Sequence, residues 1–272
     1  MASILPSHIS PDGEGADPRR GQLALGAGAA VLFSLSWAYL IYMAWGMKNM
    51  DAVADSLLMP AMTGWDGRDL SLVFLMWAVM MIAMMLPSAM PLLLLVTNIN
   101  HGRYARKRAL LGSCVFALGY LAVWSGFSAL ATFAQWGLLE TRLVSPMMES
   151  ASPGLSAALL AAAGAYEFTP LKNACLARCQ SPLGYLMTAW REGISGAFAM
   201  GLRHGAYCTG CCWLLMALLF VFGVMNVAWI AALAILVLLE KLLRRPAWFA
   251  RAAGATLLAW GALLAVQAGV LP

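Results

Sequence analysis

The chain has 272 residues, of which 62% are hydrophobic and only 11% are charged. Soluble domains carry about 25% charged residues, so this composition excludes an ordinary soluble protein and predicts an integral membrane protein. The length suits one bundle of about six to eight helices, at about 20 apolar residues per crossing. The net charge of +5 does not indicate nucleic acid binding, because the basic residues cluster at predicted helix ends.

The predicted fold is an all-α polytopic transmembrane bundle of about seven spans plus one interfacial or re-entrant helix. Residues 1–22 are polar and rich in Pro and Gly, which predicts a disordered cytoplasmic tail. Residues 23–272 are predicted to form a single transmembrane domain. Its spans are Leu23–Met47, Leu70–Val96, Ala109–Trp136, Leu155–Phe168, Gly205–Phe222, Val224–Leu239 and Ala247–Val270.

The segment Pro182–Gly201 is moderately apolar but carries Arg191 and Glu192 at its middle. A charge at the centre of a spanning helix costs about 2.5–3.5 kcal/mol on insertion scales. We therefore predict a helix that lies at the inner surface or re-enters the bundle.

Basic residues predict the orientation, since they favour the cytoplasmic side of a membrane. The loop after the second span is HGRYARKR, and the loop after the sixth contains Lys241, Arg244 and Arg245. The first loop on the opposite side is acidic. This pattern predicts an N-terminus inside and a C-terminus outside.

Five of the six cysteines form two groups that predict a soft-metal site. The motif TPLKNACLARCQSP holds a C-x3-C pair, and GLRHGAYCTGCCWLLM places one histidine and two cysteines at i, i+4 and i+7. In order these residues are Cys175, Cys179, His204, Cys208, Cys211 and Cys212. Both groups are predicted at the cytoplasmic ends of their spans, where thiols stay reduced. Thiolates select Cu(I), although a Cys3His set also suits Zn(II). Packing of small residues is the alternative.

The stretch MWAVMMIAMMLPSAM in the second span is rich in methionine. Met80 and Met84 share one helical face with Met76, and Met81 and Met85 occupy the adjoining face. Methionine commonly fills gaps in apolar cores. Beside a cysteine group, however, thioethers could hold Cu(I) weakly in transit. Further methionines in the outer loop, at 50, 59 and 62, would extend such a path. Pro87 is expected to weaken or kink this helix.

Ionisable residues inside predicted spans are candidates for function. Glu167 lies near the inner end of the fourth span and is expected to pair with Lys172. Glu240 and Lys241 end the sixth span, where a mutual ion pair or extension to the interface is the simpler interpretation.

Four motifs together resemble one bacterial family. They are WAVMMIAMMLPSAMP, TPLKNACLARCQSP, GLRHGAYCTGCCWLLM, and the turn GVMN followed by EK. The chain resembles the predicted metal-binding integral membrane proteins, which are often described as membrane copper chaperones; some accompany copper enzymes such as tyrosinase. The resemblance spans Leu70 to Lys241. It implies copper as the metal, the grouped cysteines and His204 as ligands, and a bacterial inner membrane location.

Three functions remain open at this point. The first is Cu(I) binding and delivery to a copper-dependent enzyme, without covalent chemistry. The second is a membrane enzyme, either a thiol-redox protein cycling through a disulfide or a metal-dependent enzyme. The third is a non-catalytic subunit of a membrane complex. The expected partners are the lipid bilayer and a copper enzyme or other membrane subunits, with no nucleic acid.

Overall fold

The computed structural model describes residues 18–49, 60, 64–104, 106–145, 152–243 and 246–269. Within these ranges the regular elements are ten α-helices, so the predicted all-α class is confirmed. In chain order they are α1 (Pro18–Lys48), α2 (Gly67–Arg103), α3 (Arg106–Glu140), α4 (Pro153–Glu167), α5 (Pro170–Gln180), α6 (Pro182–Ala189), α7 (Gly193–Ala217), α8 (Leu219–Phe222), α9 (Val227–Leu242) and α10 (Pro246–Gln267).

Five of the described helical segments are long and apolar enough to cross a membrane. They are Gly21–Lys48, Gly67–Arg103, Lys107–Glu140, Gly193–Phe222 and Trp248–Gln267. The predicted fourth and sixth spans correspond to α4 and α9, which have only 15 and 16 residues. A full crossing needs about 20 residues. Seven spans are therefore not confirmed, and a multi-pass membrane protein is compatible with the five long segments.

The predicted fifth span begins too late in the chain. We placed its start at Gly205, whereas α7 begins at Gly193 and continues through α8 as a segment of 30 residues. At 1.5 Å per residue this segment is about 45 Å long. Cys208 consequently lies near its middle. The prediction that the cysteines occupy the cytoplasmic ends of their helices is wrong for this helix.

The single helix predicted over Pro182–Gly201 is also wrong. The chain is helical in α6, leaves the helix at Trp190, and starts α7 at Gly193. Gly193 has φ +81, a conformation that glycine adopts without strain. The break places Arg191 and Glu192 outside both helices, where their side chains are exposed. Glu192 reaches Arg103 at the end of α2, which locates the start of α7 beside the basic loop.

The first helix is longer than predicted, and two predicted boundaries are confirmed. α1 begins at Pro18, so the last residues of the predicted tail are helical, and residues 1–17 lie outside the described ranges. α4 stops before Pro170, because Thr169 caps the next helix. The tight turn after the fifth span runs through Gly223 at φ +90 to Asn226, which caps α9.

Close helix contacts at glycine hold the bundle together. α3 and α7 run parallel, and a Cβ on Gly201 would lie 2.1 Å from the Phe116 carbonyl oxygen. α4 and α10 run antiparallel, and a Cβ on Gly164 would lie 2.8 Å from the Gly254 carbonyl oxygen. Small residues allow such backbone approach in membrane helices.

α2 forms the centre of the bundle. It packs against α1, α3, α6 and α9, whereas α1 lies at the edge and is mostly exposed. Trp77 of α2 donates a hydrogen bond of 2.6 Å to Gln135 of α3, so the pair satisfies two buried polar groups. α2 remains one continuous helix through Pro87 and Pro91.

Candidate metal centre

Three buried thiols lie on consecutive turns of α7. Cys208, Cys211 and Cys212 are each 1% exposed. The spacing i, i+3 and i+4 places them on one side of the helix. Both Cys211 and Cys212 donate hydrogen bonds of 3.0 Å from Sγ to the Cys208 carbonyl oxygen. The three sulfur atoms therefore face the interior of the bundle rather than lipid.

A fourth thiol comes from α5. Cys179 is half-buried and packs against the apolar cluster that contains Cys208 and Cys211. Cys175, one turn earlier on α5, is half-buried beside Gly210, where a Cβ would lie 2.9 Å from its Sγ. Gly210 thus leaves room for α5 to approach α7. Burial raises the pKa of the Cys175 thiol, which favours its protonated form when no metal is bound.

His204 lies one turn before Cys208 and is 4% exposed. Its ring stacks on Tyr120 of α3 at 5.7 Å and contacts Tyr185 of α6 at 5.3 Å between ring centroids. Its Nδ1 is buried and has no hydrogen-bond partner in the described part of the chain. A buried imidazole nitrogen without a partner is uncommon and is available to a ligand.

The methionines of α2 pack in the same core as the cysteines. Met80, Met81, Met84 and Met85 are each at most 2% exposed. They belong to one apolar cluster with the three cysteines of α7, and Cys175 and Cys179 pack against it. The structure therefore brings the predicted thioether and thiol residues to one region. Of the outer methionines, Met50, Met59 and Met62 lie outside the described residues.

Two polar side chains that we did not assign to the site contact Cys208 directly. Lys241, at the end of α9, places Nζ 3.0 Å from the Cys208 Sγ and 3.1 Å from the Ser88 hydroxyl. The Tyr120 hydroxyl lies 3.0 Å from the same Sγ. Lys241 was expected in a cytoplasmic loop or paired with Glu240; both expectations are wrong, because it is 8% exposed and points at a cysteine. The signal in the sequence that could have pointed to Lys241 is the EK pair of the fourth motif.

A buried ionic cluster adjoins the thiols. Lys172 of α5 donates to both carboxylate oxygens of Glu240 at 2.9 Å and also to Glu167. All three side chains are at most 1% exposed. The expected pairing of Glu167 with Lys172 is confirmed. Two carboxyl groups share one ammonium group, and the Glu167 Oε1 has no hydrogen-bond partner among the described residues.

These groups do not form a finished metal site. Within the described ranges, no three His, Cys, Asp or Glu side chains are spaced as ligands of one metal ion. The thiols of Cys211 and Cys212 instead donate to the Cys208 carbonyl oxygen. Rotations about their side-chain bonds would be needed to direct several sulfur atoms at one point. The chemistry of this donor set suits a soft cation.

Comparison with known proteins identifies the family. The PpoB2 family model, described as a copper chaperone, matches residues 74–264. The chain belongs to this copper chaperone family. The match covers α2 from its first turns through most of α10 and contains every candidate ligand. Among curated proteins and among solved structures, no significant match is found. Copper is therefore the cargo that membership of the copper chaperone family implies.

Proposed function

We propose that this protein is a membrane copper chaperone that binds Cu(I) through the thiols of α5 and α7. The observation that carries the proposal is the packing of Cys179 on α5 against the apolar cluster that contains the buried Cys208 and Cys211 of α7. Thiols of two helices that pack in one apolar cluster can become joint ligands when their side chains turn toward one ion. Thiolate sulfur favours Cu(I) over hard cations, and Zn(II) is the competing metal.

The methionines of α2 would receive copper from the thiols or deliver copper to them. Thioethers are neutral, weaker ligands, so copper could pass over them without being trapped. Their burial in the same apolar cluster as Cys208 supports this role. We propose His204 and Cys175 as additional ligands at the edge of the thiol group. The recipient or donor is proposed to be a copper-dependent enzyme or another membrane subunit.

The proposed setting is a bacterial inner membrane. The basic segment around Arg103 and Arg108 would face the cytoplasm, with the N-terminus on that side and the C-terminus in the periplasm. Cys208 lies near the middle of its helix, so copper at the thiols would be held within the bilayer. A site at that depth needs an access path from each side, and the buried methionines suit one of these paths.

Titration with metal tests the proposed ligands. Purified protein is titrated anaerobically with Cu(I), and separately with Zn(II), against a chelator that reports free metal. We expect Cys208→Ser to weaken Cu(I) binding by at least about 100-fold, because losing a ligand exceeds the 10–100-fold effect typical of changes around a metal site. The matched control is Cys114→Ser, since Cys114 is exposed on α3.

The control should bind Cu(I) as the unmodified chain does. Equal Cu(I) affinity in Cys208→Ser and Cys114→Ser would refute the thiol site. Preferential Zn(II) binding would refute copper as the cargo. A disulfide that forms reversibly between thiols of α5 and α7, with no metal bound, would instead favour the thiol-redox enzyme.

A further inference from the structure

A cavity of about 320 Å³ lies where α2 ends, α3 begins and α6 meets α7. It is separate from the cysteines and lies at the basic end of the bundle. Its polar lining residues are Asn100, Tyr104, Arg108, Trp190, Arg191 and Glu192. The volume is within the range of small-ligand sites, which starts at about 300 Å³.

The charge around the cavity is positive. Its one carboxylate belongs to Glu192, which pairs with Arg103 at 3.4 Å. Arg103 also lies 5.1 Å above the Trp190 ring and so holds this aromatic wall in place. Arg108 and Arg191 have no carboxylate within ion-pair distance among the described residues. Two guanidinium groups therefore remain available to an anion, and guanidinium geometry matches phosphate oxygens.

Trp190 gives the cavity an aromatic side. Its ring lines the cavity under the Arg103 guanidinium, while its Nε1 is buried away from solvent. The polar donors that an anion in the cavity can reach are therefore the two guanidinium groups, which donate through several N–H groups each.

We propose that this cavity binds a phosphate group, presented by the headgroup of an anionic phospholipid or as free phosphate. Arg108 and Arg191 contact the phosphate oxygens, and the Trp190 ring forms an aromatic side of the site. Ile194, Ala197 and Met200 form an apolar wall on the same cavity. An apolar wall beside two arginines fits the glycerol and first acyl carbons of a lipid better than a free ion. Basic pockets between helices on the cytoplasmic side are typical headgroup sites.

The full-length protein in detergent tests the site. Binding is followed by native mass spectrometry and by the midpoint of thermal unfolding after adding phosphatidylglycerol, phosphatidylcholine or inorganic phosphate. The test variant is Arg108→Gln with Arg191→Gln, and the matched control is Arg251→Gln, an exposed arginine on α10. Phosphatidylglycerol should bind the double variant about 30-fold more weakly than the control, since each surface arginine contributes about fivefold.

The three additives distinguish the sources of the phosphate. A higher midpoint of thermal unfolding with phosphatidylglycerol than with phosphatidylcholine supports a lipid headgroup, if the double variant loses this difference. The same gain from inorganic phosphate alone, again lost in the double variant, supports the phosphate site and assigns it to a soluble anion. Equal phosphatidylglycerol binding by the double variant and the control, or no difference between the two lipids, overturns the proposal.

Discussion

Replacing Lys172 by methionine is expected to lower the free energy of unfolding by about 3–5 kcal/mol, the cost of leaving buried charges without their partner. Lys172 donates to Glu167 and Glu240, and all three side chains are at most 1% exposed. Without the ammonium group, two carboxyl groups would face each other in an apolar interior. The loss is measured as a lower midpoint of thermal unfolding in detergent.

Two further variants separate charge from packing. Lys48→Met is the control, because Lys48 is exposed at the end of α1 and its loss should change stability by less than 1 kcal/mol, as is typical of surface positions. Lys172→Met combined with Glu167→Gln and Glu240→Gln removes all three charges and should recover part of the stability. A Lys172→Met midpoint equal to that of Lys48→Met would show that the cluster does not stabilise the fold.

The second large effect is expected at Lys241. Its Nζ lies 3.0 Å from the Cys208 Sγ. Cu(I) held by two thiolates carries one net negative charge, which is costly in an apolar interior. The Lys241 ammonium group would compensate this charge. We expect Lys241→Met to weaken Cu(I) binding by about 10–100-fold, the range for groups that surround and tune a metal site.

Zn(II) provides the readout that a general structural defect would not give. With the same thiolates, the Zn(II) complex is one charge unit less negative, so it needs Lys241 less. The Cu(I) affinity of Lys241→Met should therefore fall by a larger factor than its Zn(II) affinity. Equal losses for both metals would mean that Lys241 acts on the shape of the site and not on its charge.

The sequence predicted the helical class and the participating residue types, because both depend on local patterns. Apolar runs locate long helices, and spacing at i and i+4 places Cys208 beside His204 and Cys212. The break at Trp190 was missed because the charges of Arg191 and Glu192 were taken to place one whole helix at the surface, whereas the chain ends one helix before them and starts the next after them. Because α7 starts earlier in the chain than predicted, Cys208 lies near the middle of its helix and not at the end.

Contacts between distant segments could not be read from local patterns. Lys241 looks like the first residue of a basic loop, and only the packing of α9 against α2 and α7 brings it to Cys208. Likewise, the pairing of Lys172 with Glu167 follows from their proximity in sequence, but Glu240 joins them from another helix. The cavity beside Trp190 depends on four helix ends, none of which signals a site alone.

X-ray absorption at the copper edge of the Cu(I)-loaded protein tests the central claim most directly. The sample is prepared twice, with ordinary methionine and with selenomethionine, so that thiol and thioether ligands are told apart. We predict a first shell of sulfur in both samples, because Cys179, Cys208 and their neighbours hold the tightly bound copper. A first shell of selenium in the labelled sample, or one of nitrogen and oxygen without sulfur in either sample, would contradict the account.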